Sequence, residues 1–334
     1  MVTIKDVARS ARVSVATVSR ALNASPLVRE DTSARVRSAA RRLGYAPHGT
    51  ARSLVTRRTH TIGVVLPDLY GEFFSEVIRG IDQAAHGRGY HVLVASAREP
   101  GPELEAALHA MRGRVDGLIV MSPHQDGAGF RRSVPAGFPV VLLSCPPSDA
   151  GYDRLGIANH GGARAMTRHL AGLGHRRIAM IRGPERNFDA AERLRGYRAA
   201  LRYGGLSSGA DLEFPGDFSE AAGHAAAVRM LMSGERATAV FAANDCMAIG
   251  ALSAFRDAGL RVPEDIALGG FDDIPMARYV DPALTSVHVD ISALGERAAV
   301  RLLDGLRQPS DRDPLRELLP TTLVVRRSCG ALRA

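Results

Sequence analysis

Val13-Ser14-Val15-Ala16-Thr17-Val18-Ser19-Arg20-Ala21-Leu22-Asn23 decides how the start of this 334-residue chain folds. Ser14 is placed to cap a helix running from Val15 to about Asn23, with Val18, Ala21 and Leu22 on its inner face. Val15, Ala16, Thr17, Ser19 and Arg20 are left on the outer face. Upstream, Ile4, Val7, Ala8 and Ala11 repeat at the same spacing behind Thr3 as N-cap, and Arg12-Val13 breaks the pattern. Downstream comes a loop with Pro26. Asp31 or Thr32 then opens a third helix through Val36, Ala39, Ala40 and Leu43, which Gly44 stops. Two short helices joined by a tight turn and braced by a third make a helix-turn-helix.

Charge says what such a head would hold. Residues 1–60 carry 12 basic side chains against 3 acidic ones, whereas the rest of the chain is close to neutral within a total of +8. A basic head on a neutral body is the footprint of a polyanion binder, and it argues against a head that binds protein or a merely solvated arm. The second helix would enter the major groove of double-stranded DNA with its N-terminal residues at the base edges. Arg20 can pair bidentately with a guanine, and Val15 and Ala16 offer apolar contact to a thymine methyl. Thr3, Thr17, Ser19, Asn23 and Thr32 are candidate phosphate contacts, which position the head without specifying sequence.

From Thr61 the period changes. Ile62–Leu66 reads as a buried strand, followed by a helix over 73–87 and strand Val92–Val94. The alternation runs on through helix 103–111, strands 117–120 and 140–143, helix 161–173, strand 178–181, helices 189–202 and 220–232, strand 240–242 and helix 244–258. Strand Ile266–Leu268 closes it. Two series of alternating strands and helices imply two α/β lobes with parallel sheets, and ligands in such folds sit outside the carboxyl ends of the strands.

Three stretches of the head, Thr3-Ile4-Lys5-Asp6-Val7-Ala8, the deciding stretch and Leu43-Gly44-Tyr45-Ala46-Pro47, resemble the LacI/GalR family of bacterial transcription regulators in order, spacing and residue type. The body shares Pro67-Asp68-Leu69, Gly172-Leu173-Gly174-His175-Arg176-Arg177-Ile178, Asn244-Asp245, Gly270-Phe271-Asp272-Asp273 and Pro282-Ala283-Leu284-Thr285-Ser286-Val287 with that family. The resemblance implies an α/β fold with an all-α helix-turn-helix head and a two-lobed body like a periplasmic sugar-binding protein. The expected bounds are 1–47 for the head, 48–58 for a hinge helix and 59–334 for the effector-binding body. Its N-lobe would take about 59–158 and 290–318, and its C-lobe about 159–288 and 320–330. The hinge would fold on DNA, with Arg52 a contact and Leu54 wedged into the minor groove. His48 to Thr56 suits that role physically, since nine residues containing Gly49 are too few to hold a helix unaided.

Effector positions carry over onto Phe73, Phe74, Arg193, Phe218, Asn244 and Asp272, and Ser122 follows a strand end that could line the same cleft. Asp272 can accept hydroxyl hydrogen bonds, Arg193 and Asn244 can donate, and the phenylalanines can stack on the apolar face of a sugar. The expected partners are a palindromic DNA operator, a second copy of the chain and a small-molecule effector. A carbohydrate is the first expectation for that effector, and a purine or other small metabolite the alternative. No leucine heptad follows Leu323-Val324-Val325, which favours a dimer.

Enzyme readings lack their motifs. No GxGxxG joins a strand to a helix and no P-loop is present. Gly205-Leu206-Ser207-Ser208-Gly209 matches GxSxG but follows a helix, so it cannot form a nucleophile elbow. No catalytic residue, cofactor or metal site is expected. Cys145, Cys246 and Cys329 are widely spaced, as reduced thiols of a cytoplasmic protein would be. The start of the chain has no signal-peptide pattern, and no apolar run reaches the length of about 18 residues that a membrane span needs. These points and the basic head argue against a transport-type binding protein or a sugar-modifying enzyme built on the same body.

Overall fold

In a computed structural model, which describes residues 2–22, 25–45, 58–98, 101–122, 134–135, 137–147, 151–206, 210–234, 237–307 and 313–331, the chain separates into Met1–Thr59 and His60–Ala334. In the first unit, α1 (Ile4–Ala11) opens at Thr3, whose backbone N–H and hydroxyl donate to the Asp6 carboxylate at 2.9 and 2.7 Å. Those two bonds hold the Asp6 carboxyl below its usual range. α2 (Val15–Leu22) opens at Ser14, whose Oγ accepts from the Thr17 N–H at 3.1 Å. α3 (Glu30–Leu43) starts just ahead of the expected Asp31 or Thr32. Glu30 and Asp31 in its first turn face the positive end of the helix dipole, so carboxylates rather than a hydroxyl cap favour its start. Gly44 ends α3 at φ 65°, a left-handed conformation that glycine adopts without a Cβ clash. Val7, Ala8, Ala11, Val18, Ala21, Val36, Ala39 and Ala40 form the buried core of this unit. Asn23, Arg52, Leu54 and the rest of the expected hinge up to residue 57 lie outside the described residues.

The second unit holds two six-stranded sheets. The first comprises β1 (Thr61–Leu66), β2 (His91–Ser96), β3 (Gly117–Met121), β4 (Val140–Leu143), β5 (Asp153–Ile157) and β11 (Arg316–Leu319), in the order β11-β5-β4-β3-β1-β2. All of its pairings are parallel. The second comprises β6 (Ile178–Ile181), β7 (Glu213–Phe214), β8 (Ala239–Ala242), β9 (Ala267–Asp272), β10 (Thr285–His288) and β12 (Thr322–Val324), in the order β12-β10-β9-β8-β6-β7. Only β12 runs antiparallel to its neighbour. Central runs such as VVLL, IAMI and AVFA are buried at every position, as strands covered on both faces must be. The covering helices are α4 (Glu72–His86), α5 (Pro102–Met111), α6 (Asn159–Gly172), α7 (Phe188–Tyr203), α8 (Glu220–Met232), α9 (Asp245–Asp257) and α10 (Ile291–Arg307).

The second sheet does not close at Ile266–Leu268, as the alternation suggested. It continues through β10, whose first residues, Thr285 and Ser286, are polar yet buried. Their hydroxyls donate inside the fold, Thr285 to the Arg326 carbonyl at 3.1 Å and Ser286 to Asp245 at 2.6 Å. An apolar-run criterion passes over such a strand. The chain crosses between the sheets at Ala158, at 289–290 and at 320–321. After the second crossing, α10 packs on the first lobe, where Arg301 forks onto the Asp153 carboxylate at 2.7 and 2.8 Å.

Candidate functional site

The strands of both lobes end at a cavity of about 350 Å³. Pro67 and Asp68 reach it from the end of β1, Met121 from β3, Ser144 from β4, Asn244 from β8 and Asp272 from β9. That is where a parallel α/β sheet leaves its backbone and side chains unpaired for a ligand. Phe73, Phe74, Arg193, Phe218, Asn244 and Asp272, the residues expected at an effector site, all line this cavity. Ser122 does not. It is half-buried beyond β3, with its backbone against the Cys145 thiol, and Met121 supplies β3's contribution to the wall.

Arg193 organises the site. It projects from α7, and α7 is drawn close to α6 at Gly196, where an added Cβ would stand 2.3 Å from the His160 carbonyl oxygen. Its guanidinium donates to Asn159 Oδ1 at 2.8 Å, to the Ala243 carbonyl at 2.6 Å and to Asp272 Oδ1 at 2.8 Å. One face lies 3.8 Å from the centre of the Phe271 ring. Asp272, expected to accept ligand hydroxyls, already has its Oδ1 committed to Arg193. Burial pushes the Asp272 carboxyl above its ordinary range, and Arg193 opposes that shift. Asn244 is a helix cap as well as a wall: its Oδ1 accepts from the Met247 N–H at 3.0 Å and its amide donates to the Phe218 carbonyl at 2.9 Å.

Asp189, Asn159 and Ser144 were not singled out in the sequence. Asp189 stands one turn before Arg193 on α7 and accepts from Asn159 Nδ2 at 2.8 Å, so Asp189, Asn159, Arg193 and Asp272 form one chain of polar contacts. Its carboxyl is pushed up to about 6, by burial first, with Arg193, Ser144 and Asn159 opposing and Asp272 reinforcing the rise. The usable signal was the i, i+4 spacing of Asp189 and Arg193 at the start of a helix that follows a strand end. Ser144, Phe218 and Asp272 hold φ of 49°, 75° and 101°. Such conformations cost about 1–3 kcal/mol each outside glycine and gather at ligand sites.

In the head, Val15, Ala16 and Arg20 are exposed on α2, and Thr17 and Ser19 are half-buried beside them. Thr17 Oγ1 lies 2.9 Å from Ser14 Oγ, the Thr3 hydroxyl is engaged by Asp6, and Thr32 is half-buried in the first turn of α3.

A family model described as "Bacterial regulatory proteins, lacI family" matches residues 3–48, and one for a periplasmic binding protein-like domain matches residues 167–329. The ribose operon repressor of Escherichia coli strain K12 is 36% identical over 323 residues, covering 96% of this chain and 98% of its own length. The solved complex of the transcriptional regulator CelR with cellobiose is 35% identical, with a TM-score of 0.75 over 98% of this chain and 100% of that one. The Lac repressor dimer bound to operator and the anti-inducer ONPF is 31% identical, with a TM-score of 0.88 over 98% of this chain and 99% of that one.

Proposed function

Because the chain belongs to the LacI family of bacterial regulatory proteins, we propose that it is a sequence-specific transcriptional repressor whose hold on DNA is set by a small molecule, a sugar in the first place. It is a regulator and not an enzyme. The observation that carries the effector half of this reading is the cavity where Arg193, Asp272 and Asn244 converge with Phe73, Phe74 and Phe218. Fixed polar groups that orient a ligand, among aromatic faces that cover its C–H surface, make a carbohydrate site.

The head supplies the DNA half. α2 presents Arg20 to a guanine edge with Val15 and Ala16 beside it, while Thr3, Thr17, Ser19, Asn23 and Thr32 contact phosphates. The chain acts as a homodimer, so that two heads read the two halves of a palindromic operator, with Arg52 and Leu54 contacting the minor groove between them. Control follows from linkage. An effector that binds across two lobes favours one arrangement of them, and it shifts operator affinity only by the ratio of its affinities for the DNA-competent and DNA-incompetent states. No helix among the described residues is long and apolar enough to cross a membrane; the repressor is proposed to work in the cytoplasm, where its DNA lies.

Selection of the full chain on a random duplex library tests the reading. A palindrome with half-sites about one helical turn apart is expected. Retention of duplexes without any common sequence would overturn it.

A further inference from the structure

We infer that the outer face of the α6–α7 pair, in the second lobe, is a further docking surface for duplex DNA that holds phosphates without reading bases. The choice of DNA as the polyanion rests on the regulator reading above; the face itself belongs to the body and not to the head.

Of the covering helices, α6 alone contains neither Asp nor Glu. Its solvent side is Gly161, Arg164, Ala165 and Arg168, so two guanidiniums stand one turn apart among small residues. α7 packs closely against it at Gly196 and ends in the exposed pair Arg202 and Tyr203. The Tyr203 ring is 78% exposed, and the guanidinium carbons of Arg164 and Arg168 each lie 5.9 Å from its centre. The negative face of the ring thus gathers two like charges that would otherwise move apart. Among the described residues no carboxylate pairs with Arg164, Arg168 or Arg202. Their neighbours on α7 are taken, Arg195 by Glu192 and Arg198 by Glu213, both of whose oxygens it reaches at 2.7 Å.

Three unneutralised arginines on one face, in a body that is close to neutral as a whole, make a local positive field that an anion would relieve. Guanidiniums fork onto phosphate oxygens, and a tyrosine hydroxyl can donate to another. The small residues of α6 let a backbone lie close between the arginines. The charge of duplex DNA runs as a continuous line, one per about 1.7 Å of axis, so it can meet all three arginines at once. An acidic protein segment would in addition want an apolar pocket to anchor it, and the one apolar group here, the Tyr203 ring, already lies between two arginines. Two helices packed side by side are broader than a major groove about 12 Å wide, which leaves only phosphates within reach. The contact is therefore indifferent to sequence, and it gives a regulator seated on one duplex a hold on a second.

The test compares the full-length protein with a variant combining Arg164→Gln, Arg168→Gln and Arg202→Gln, and with one combining Arg164→Lys, Arg168→Lys and Arg202→Lys. Protein saturated with its selected operator on a bead is offered a labelled duplex of random sequence. The wild type should capture this second duplex, and capture should weaken by about fiftyfold between 50 and 200 mM salt, as the release of about three counterions requires. The Gln variant should capture at least about tenfold less, with operator affinity within about twofold of wild type and a melting temperature within a degree or so. The Lys variant keeps the charges and should stay within about threefold of wild type. A Gln variant that captures as the wild type does, a wild type that captures no second duplex, or a wild type that holds polyglutamate in preference to duplex would each overturn the inference. Should selection return no operator, the regulator reading fails on its own account. Anisotropy of wild type and Gln variant on the random duplex then still decides the face, equal affinity being the result that refutes it.

Discussion

Arg193→Met removes the positive charge at the centre of the cleft and keeps much of the side chain's bulk. In the folded chain that guanidinium makes hydrogen bonds of 2.8, 2.6 and 2.8 Å to Asn159, Ala243 and Asp272. Bonds involving a charged group are worth about 1.5–3 kcal/mol each, but within one network the values do not add. The deciding residue is Asp272, which is only 4% exposed and loses its counter-charge. Breaking one side of a buried ion pair costs about 3–5 kcal/mol. Burial already holds the Asp272 carboxyl above its ordinary range, and losing Arg193 raises it further, so the charge is given up more readily and the loss is limited. We expect the variant to be about 4 kcal/mol less stable in urea unfolding followed by circular dichroism, with a melting temperature lowered by about 10 °C. Adding Asp272→Asn removes the stranded charge, and the double variant should regain at least half of the loss. Neither variant should bind the neutral sugar. A single variant that loses less than about 1 kcal/mol, or a double variant no more stable than the single, would show that the pair is not the buried, mutually dependent unit described above.

Other perturbations probe separate links. Arg20→Ala should cost about 1–3 kcal/mol on the selected operator in fluorescence anisotropy and far less on random duplex; an equal loss on both would assign Arg20 to phosphate. Gly44→Ala places a Cβ at φ 65°, so it should destabilise the head by about 1 kcal/mol, read from amide exchange in α3; unchanged protection would show that the turn relaxes. For Asp189 the sign follows from a folded value of about 6, raised from 3.8. Its charge opposes folding at neutral pH, so the unliganded protein should gain stability as pH falls through 6 toward 4. Sugar affinity should fall over the same interval. Thermal shift and calorimetry at pH 7.5 and 5.5, compared with Asp189→Asn, isolate this group from Asp245 and Asp272, which burial also raises. A wild type and variant with the same pH dependence would rule it out.

The head was legible almost to the residue because each of its boundaries is set by a local device. Thr3 with Asp6, Ser14 with Thr17 and Gly44 at the end of α3 all act within a few residues of chain. The central strands were legible because VVLL, IAMI and AVFA leave no alternative to full burial. The edges were harder to read. β11, with Arg316 and Glu317, and β10, with its buried hydroxyls, owe their places to partners far along the chain. Composition carries no mark of such partners. The cleft divides in the same way. Phe73, Phe74, Arg193, Phe218, Asn244 and Asp272 came from resemblance. Asp189 and Ser144 became visible only when folding brought β4 and α7 to one cavity, and Asn159 only through its bonds from α6 to Asp189 and Arg193. Ser122 shows the limit of reasoning from strand ends alone: it follows β3 in sequence, but the wall is made by its neighbour Met121.

The sharpest check is the affinity of the full-length protein for its selected operator, with and without a saturating neutral sugar, beside a scrambled duplex at the same salt concentration. Operator affinity should change by about tenfold or more in one direction, and the scrambled duplex should be held weakly and equally in both cases. Equal affinity for the two duplexes, or an operator affinity indifferent to every sugar that fills the cleft, would leave no basis for a head governed by the body.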